Sequence, residues 1–149
     1  MVNMQDCIRS LSVDSPLDTT PLYSVTEASK ILQLSAHTLR YYDNLGLFPF
    51  LERPAGGKRM FSEADLQWIR LVECLRSSGL PVAKVKYYVE LCVQGDNTLR
   101  TRLDILKNQE AVIRTQIEDM KKSLKLLQFK INYYQESLAQ TGQSQEEIL

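Results

Sequence analysis

The longest pattern in the sequence is an apolar repeat in its C-terminal third. Apolar residues recur at alternating steps of four and three, broken only by Glu110 where an apolar residue is due. This spacing is typical of a coiled coil. A helix of about 40 residues extends about 60 Å, beyond the reach of a small domain, and without an internal turn it cannot fold back on itself. We therefore expect a second copy of the chain to cover the stripe. The stripe consists of Leu99, Leu103, Leu106, Ile113, Ile117, Met120, Leu124, Leu127, Ile131, Tyr134 and Leu138.

A shorter segment, SAHTLRYYDNLGL at residues 35–47, has the signals of a helix with defined ends. Ser35 can cap its first turn, and Gly46 can adopt the left-handed conformation that closes it. Helical spacing turns Leu39, Tyr42 and Leu45 inward. The outward residues are His37, Arg40, Tyr41 and Asn44, whose side chains can contact phosphates or base edges. Taken alone, the segment suits a DNA-reading helix and an ordinary amphipathic helix equally well.

The flanking segments favour the DNA-reading interpretation. Ser24 and Glu27 have the spacing of a capping box and open a two-turn helix that ends just before Ser35. Two helices joined so tightly cross steeply, as in a helix-turn-helix. Segments 48–53 and 58–61 then predict two short strands with a turn at residues 54–57. The sequence therefore predicts a helix-turn-helix followed by a β-hairpin wing.

Basic side chains are concentrated in this region, although the whole chain carries 18 basic and 18 acidic residues. Residues 35–61 contain four cations and two carboxylates, so any attraction to DNA must be local. Since the cations cluster at the predicted wing, we favour phosphate binding over a hairpin that only covers the core. The candidate DNA-binding residues are Thr26, Ser35, His37, Thr38, Arg40, Tyr41, Tyr42, Arg53, Lys58 and Arg59.

The rest of the chain completes a mainly α fold. Helices are predicted from Ser62 to Gly79 and from Leu80 to Gly95. We expect a flexible leader at residues 1–20, a winged helix-turn-helix domain at 21–95, a dimerising coiled-coil helix at 96–140 and a short tail at 141–149. The fold class is thus a winged helix-turn-helix head with a small β-hairpin wing, followed by a long coiled-coil helix.

Composition argues against several other classes of protein. No stretch approaches the roughly 20 apolar residues of a membrane span, so we expect a cytoplasmic protein with no membrane partner. Cys7, Cys74 and Cys92 are few and widely spaced, which suits reduced thiols. The single histidine, His37, makes a metal site improbable, and we expect no cofactor. The sequence shows no recognisable set of catalytic residues, so we do not expect an enzyme.

These parts, in this order, resemble the MerR family of bacterial transcription regulators over nearly all of residues 22–138. The matching motifs are YSVTEASKILQLSAHTLRYYDNLGLF, GGKRMFSEADLQWI and SGLPVAKVK. The resemblance implies that Arg40 and Tyr41 contact DNA from the recognition helix and that Arg59 holds phosphates from the wing. It also implies a homodimer, built on an antiparallel coiled coil, that binds double-stranded promoter DNA. Such dimers distort an overlong spacer so that RNA polymerase can engage the shared promoter.

The positions of the cysteines indicate which branch of the family the sequence resembles. Metal-sensing members carry cysteines beyond the position of Cys92, where this sequence has none. Drug-binding members append a large effector domain, whereas only a short tail follows the coiled coil here. The segments ECL, CVQGDNTLRTRL and KINYYQESL resemble the branch that responds to aldehydes, other electrophiles or thiol oxidation. In that branch, the cysteine matching Cys74 is the proposed sensor.

Of the charged residues near Cys74, one supports the sensing role and one opposes it. Arg70 lies one helical turn earlier and favours the reactive thiolate, so Arg70 and Cys74 are the candidate effector-sensing residues. Glu73 beside Cys74 argues the other way, and Cys74 can also be a small residue packed between helices.

Two alternative functions stay open. The first is a regulator that binds a drug-like ligand non-covalently between the head and the coiled coil. Its candidate lining residues are Tyr87, Tyr88, Phe129, Tyr133 and Tyr134. The second is a coiled-coil adaptor whose head binds protein rather than DNA.

Overall fold

A computed structural model describes residues 18–52 and 58–142 and confirms the predicted fold class. The described chain is mainly helical, with one two-stranded sheet and a long C-terminal helix. Most of the predicted leader, the turn at 54–57 and most of the predicted tail lie outside the described residues. The elements are β1 (Tyr23–Ser24), α1 (Val25–Leu32), α2 (Ala36–Asn44), β2 (Met60–Phe61), α3 (Glu63–Ser77), α4 (Val82–Gln94), a 3₁₀ turn (Asp96–Thr98) and α5 (Leu99–Thr141).

Helices α1 and α2 form the predicted helix-turn-helix. The Ser24 hydroxyl accepts a hydrogen bond from the Glu27 N–H at 3.1 Å, and the Ser35 hydroxyl accepts one from the Thr38 N–H at 3.0 Å. Between the helices, Gln33 adopts the left-handed conformation, with φ of 55°, and ends α1. Side-chain caps and one left-handed residue therefore confine the connection to a tight turn.

The C-terminal end of α2 closes as its glycine predicts. Gly46 has a φ of 78°, and its N–H donates to the Asp43 carbonyl at 2.9 Å. The Leu47 N–H donates to the Tyr42 carbonyl at 3.1 Å, and the Leu47 side chain is fully buried. These two bonds form a Schellman closure whose hydrophobic contact anchors the chain leaving α2.

The small sheet pairs differently from the prediction. Strand β2 runs antiparallel to β1, with Tyr23 opposite Phe61, so its partner precedes α1. The described part of segment 48–53 forms turns, and the Leu51 N–H donates to the Phe48 carbonyl at 3.3 Å. Both Phe48 and Leu51 are buried in the core. A strand would send these side chains, three residues apart, to opposite faces, so burying both in one core favours a turn.

Helix α3 is the central element of the core. It begins with a capping box in which Ser62 and Asp65 each bond the other's backbone N–H. Trp68 is fully buried, and its indole N–H donates to the Leu47 carbonyl at 2.8 Å. This bond ties α3 to the closure of α2. The other fully buried large side chains of the core are Phe61, Leu66, Ile69, Val72, Val85, Val89 and Cys92.

The chain divides into two compact units, which meet in sequence within α5. The first unit, called the head, ends at Gln109, whose side-chain amide donates to the Ser78 carbonyl at 2.9 Å. The second unit, called the rod, begins at Glu110 and is described as far as residue 142. In the described ranges, no helix combines the length and apolarity that crossing a membrane requires.

Candidate nucleic-acid interface and sensing thiol

The outward face of α2 carries the predicted contact groups. His37, Arg40 and Tyr41 are all exposed, and Tyr41 keeps 48% of its accessible surface. Arg40 makes no hydrogen bond or ion pair with residues 18–52 or 58–142. A guanidinium, a phenol and an imidazole on one exposed helix face can donate hydrogen bonds to phosphate oxygens and base edges.

The hydroxyl candidates lie near the start of this face. Ser35 is exposed, and its hydroxyl lies 2.9 Å from that of Thr38, in addition to capping α2. Thr26 is exposed on α1. The free N–H groups and the positive dipole end of α2 favour an anion near Ser35. Thus Ser35 holds the helix start in place while its exposed end stays open to a phosphate.

Tyr42 does not belong to this exposed face, which corrects its inclusion among the DNA-contacting residues. Its side chain is 7% exposed and packs edge-on against Phe48, with ring centroids 6.3 Å apart. Its hydroxyl donates to Glu73 Oε2 at 2.6 Å. Burial, together with this bond to Glu73, raises the pKa of Tyr42 to about 12. Tyr42 therefore joins α2 to α3.

The wing arginine Arg59 is engaged within the head. Its guanidinium forms an ion pair with Asp43, and the side chains of Arg59 and Asp43 are 22% and 8% exposed. This pair connects the residue before β2 to α2. Since a guanidinium has five N–H donors, Arg59 retains donors beyond the one that Asp43 accepts. Lys58 is exposed, whereas Arg53 lies outside the described residues.

Sequence patterns did not predict the partner of Arg59 or that of Tyr42. Asp43 and Arg59 are 16 residues apart, and Tyr42 and Glu73 are 31 residues apart. Neither separation corresponds to a helix or hairpin spacing. The one local signal was the inward position of Tyr42 on α2, which indicated burial of the ring but not the acceptor of its hydroxyl.

Cys74 is exposed on the outer side of α3, which argues against its being a packed core residue. Together with Gln67, Arg70 and Leu71, it lines an open concavity of about 340 Å³. Arg70 is also exposed and precedes Cys74 by one helical turn. The two candidate sensing residues therefore share one solvent-accessible surface that offers a thiol, a cation and apolar contacts.

The other cysteine of the described region has a different environment. Cys92 is fully buried, as its place on the apolar face of α4 predicts, and Arg102 Nη1 lies 4.0 Å from its sulfur. Within the described residues, no group of three His, Cys, Asp or Glu side chains is arranged to hold a metal ion. Of the aromatic residues considered for a ligand site, Tyr87 is exposed and Tyr88 is buried.

The known proteins to which the chain is similar are helix-turn-helix transcription regulators. Residues 23–91 match the MerR HTH family of regulatory proteins. An uncharacterised HTH-type transcriptional regulator of Haemophilus influenzae is 37% identical over 117 residues, which cover 78% of this chain and 87% of that protein. The HTH-type transcriptional regulator AdhR of Bacillus subtilis is 35% identical over 86 residues, which cover 58% of this chain and 61% of AdhR.

Solved structures agree with the sequence relatives. HiNmlR, a MerR family regulator lacking the sensor domain and crystallised with promoter DNA, aligns with a TM-score of 0.72 at 37% identity. That alignment covers 78% of this chain and 93% of HiNmlR. A MerR family regulator from Bacillus thuringiensis aligns with a TM-score of 0.68 at 38% identity, over 75% of this chain and 98% of that one. These relatives are transcription regulators rather than enzymes, and the chain belongs to the MerR family of helix-turn-helix regulatory proteins.

Proposed function

We propose that the protein binds promoter DNA as a homodimer in the cytoplasm and activates transcription by distorting the promoter spacer when an electrophile modifies Cys74. The observation that carries this proposal is the presence, in one head, of an exposed recognition helix and an exposed thiol on α3. Likeness to HiNmlR, which was crystallised with promoter DNA, and to AdhR supports the DNA-binding and regulatory parts.

Recognition helix α2 is the DNA-contacting element of the proposal. Arg40 and Tyr41 provide exposed donors, and the capped start of α2 offers backbone N–H groups to a phosphate. Lys58 adds an exposed cation beside β2. Because the chain has no net charge, these local contacts must supply the attraction to DNA.

A second copy of the chain is the proposed partner of the rod. In one chain, Met120, Leu124 and Leu127 of the stripe keep 71%, 54% and 61% of their accessible surface. Each fully buried side chain of this kind contributes about 1.5–3 kcal/mol relative to an exposed one. Pairing two rods along the apolar stripe thus stabilises a dimer and supplies two recognition helices for two half-sites.

Promoter distortion is the proposed means by which the dimer activates transcription. Bending and untwisting a spacer costs several kcal/mol, which phosphate contacts from two heads can offset. RNA polymerase then engages the two elements on either side of the distorted spacer. The polymerase is a partner through the shared DNA, without need of a direct protein contact.

The chemistry proposed at Cys74 is addition of its sulfur to an aldehyde. The thiolate attacks the carbonyl carbon, a carbon–sulfur bond forms, and the π electron pair of the carbonyl moves to oxygen. That oxygen takes up a proton, so thiol plus aldehyde gives a neutral hemithioacetal without an oxidant or reductant. Arg70 lines the same concavity and is the second candidate sensing residue of the proposal.

Footprinting and transcription together test this function. DNA upstream of the protein's own coding sequence is incubated with the full-length protein, with and without formaldehyde, and then with RNA polymerase. We expect protection of the promoter in both conditions and more transcript with formaldehyde. In C74S, protection should persist and the response to formaldehyde should fall by about tenfold or more.

The variant C7S is the matched control because it removes another thiol of the same chain. We expect C7S to respond as the wild-type protein does. Full induction of C74S would contradict sensing at Cys74. Absence of DNA binding at low salt, where phosphate contacts are strongest, would instead favour the adaptor function.

A further inference from the structure

One hydrogen bond connects the recognition helix directly to the helix that carries Cys74. The Tyr42 hydroxyl on α2 donates to Glu73 Oε2 on α3 at 2.6 Å. Tyr42 is buried and Glu73 is half-buried, so water competes weakly for the bond. Since its acceptor is a carboxylate, the bond is stronger than one between neutral groups.

The same turn of α3 contacts two other parts of the head. Arg76 Nη1 donates to the Leu80 carbonyl at 2.8 Å, in the connection between α3 and α4. Arg76 also interacts with the Tyr42 hydroxyl and lowers its pKa, which partly offsets the rise that Glu73 causes. Cys74 lies between Glu73 and Arg76 in sequence. Residues 73–76 therefore combine an exposed thiol with side chains that hold α2 and the start of α4.

We infer that the Tyr42–Glu73 hydrogen bond is the positioning contact through which a change at Cys74 alters the recognition helix. This inference rests on the proposed sensing role of Cys74. An adduct adds atoms to the surface formed by Cys74, Arg70 and Leu71 and displaces this turn of α3. The Glu73 carboxylate moves with its helix, and the hydrogen bond to the Tyr42 hydroxyl transmits that displacement to α2. The residue next to Tyr42 on α2 is the exposed Tyr41, a proposed DNA contact.

The position of the bond along α3 distinguishes it from other contacts of the head. A second tyrosine, Tyr23 of β1, donates its hydroxyl to Glu63 at the first turn of the same helix. Both bonds join a tyrosine hydroxyl to a carboxylate of α3, but Glu63 lies eleven residues before Cys74. Y23F therefore removes the same chemical interaction far from the thiol, which makes it a matched control for Y42F.

The experiment uses the full-length protein and a DNA duplex that the unmodified protein selects from a random pool. A fluorescent adenine analogue at the duplex centre reports unstacking. Formaldehyde occupancy of Cys74 is measured as protection of the 71–76 tryptic peptide from alkylation. In the wild-type protein, formaldehyde should raise the fluorescence. In Y42F, occupancy and basal DNA affinity should stay within about twofold, while the fluorescence change becomes about fivefold smaller.

Variants of the acceptor extend the test if Y42F is poorly folded. E73A removes the acceptor and should lose the fluorescence response, whereas E73Q retains a side-chain oxygen and should keep most of it. Y23F should respond as the wild-type protein does. Rescue by E73Q is not expected from a general loss of stability, so it separates a positioning role from a structural one.

The outcomes separate this inference from the function on which it rests. A normal response in Y42F and E73A, with C74S unresponsive, overturns the inference alone. Equal losses in Y42F and Y23F also overturn it, because the effect would then follow stability rather than position. A response in C74S that equals the wild-type response overturns sensing at Cys74, and the inference with it.

Discussion

The head and the rod contain similar apolar residues but use them differently. In the head, Trp68, Ile69 and Val85 are fully buried against other elements of the same chain. In the described part of the rod, apolar side chains such as Leu124 and Ile131 keep 54% and 52% of their accessible surface. One region thus completes its core alone, whereas the described part of the other leaves its apolar side chains exposed in a single chain.

The same contrast applies to charged groups. The Asp43–Arg59 pair of the head is largely buried and joins two elements. The Glu110–Arg114 pair of the rod spans one helical turn, with its side chains 64% and 75% exposed. Buried pairs contribute to specific geometry, while exposed pairs contribute little stability. The head therefore holds this charged pair in a largely buried contact, whereas the pair of the rod is exposed to solvent.

The largest expected effect comes from placing a charge in the stripe of the rod. I117K should convert a dimer into monomers, because a lysine within a paired stripe loses its hydration. DNA affinity should fall by about 1,000-fold, since two linked heads bind far more tightly than one. Sedimentation velocity measures the mass, and fluorescence of Trp68 checks that the head stays folded.

The control for I117K is T115K, which introduces the same charge two residues away, outside the stripe. We expect T115K to remain dimeric and to bind DNA normally. If I117K is as dimeric as the wild-type protein, the rod does not form the interface and the contrast between the two regions fails.

The next effect compares an arginine of the head with one of the rod. R40A should lower DNA affinity by about 100-fold, because a dimer loses two charge-assisted contacts. The slope of log affinity against log salt should decrease by about 2. R114A should change neither quantity. Fluorescence anisotropy across a salt series measures both, and equal effects of R40A and R114A would show that binding is not localised to α2.

The two ion pairs provide a smaller effect on stability. D43A should lower the free energy of unfolding of the head by about 2 kcal/mol, because it removes the carboxylate that pairs with half-buried Arg59. E110A should cost less than about 0.5 kcal/mol, since its pair is exposed. Urea denaturation followed by Trp68 fluorescence and by circular dichroism compares them. A cost as small for D43A as for E110A would remove the distinction between buried and exposed pairs.

The predictions that succeeded used local patterns. The caps at Ser24, Ser35 and Ser62 follow from side chains that reach N–H groups three residues ahead. The positive φ of Gly46 likewise follows from the position of a glycine at the end of one helix. Local spacing therefore sufficed for the order of the helices and for the outward face of α2.

The predictions that failed required contacts between distant segments. Strand β2 pairs with Tyr23–Ser24 rather than with the described residues 48–52, because Phe48 and Leu51 enter the core from a turn. The spacing predicted an inward Tyr42 but not that its hydroxyl donates to Glu73. Such pairings depend on how α2 packs against α3, and no spacing along the chain encodes that.

The smallest expected effect is a titration in the head. Because the pKa of Tyr42 is raised to about 12, the folded state favours its neutral form. Its contribution to stability is therefore complete below the ordinary tyrosine pKa of 10.0 and is lost as the pH rises through about 12. The ultraviolet absorbance of tyrosinate should show a late step that Y42F removes. An unchanged titration curve in Y42F would contradict this environment for Tyr42.

The most direct test of the account is a hydroxyl-radical footprint of the full-length protein on its selected duplex, with the mass of the complex measured in parallel. The account predicts two chains per duplex and two protected patches related by a two-fold axis, one for each α2. It also predicts that R40A weakens both patches together. A single protected patch with one bound chain would contradict the central claim that paired rods present two recognition helices to one promoter.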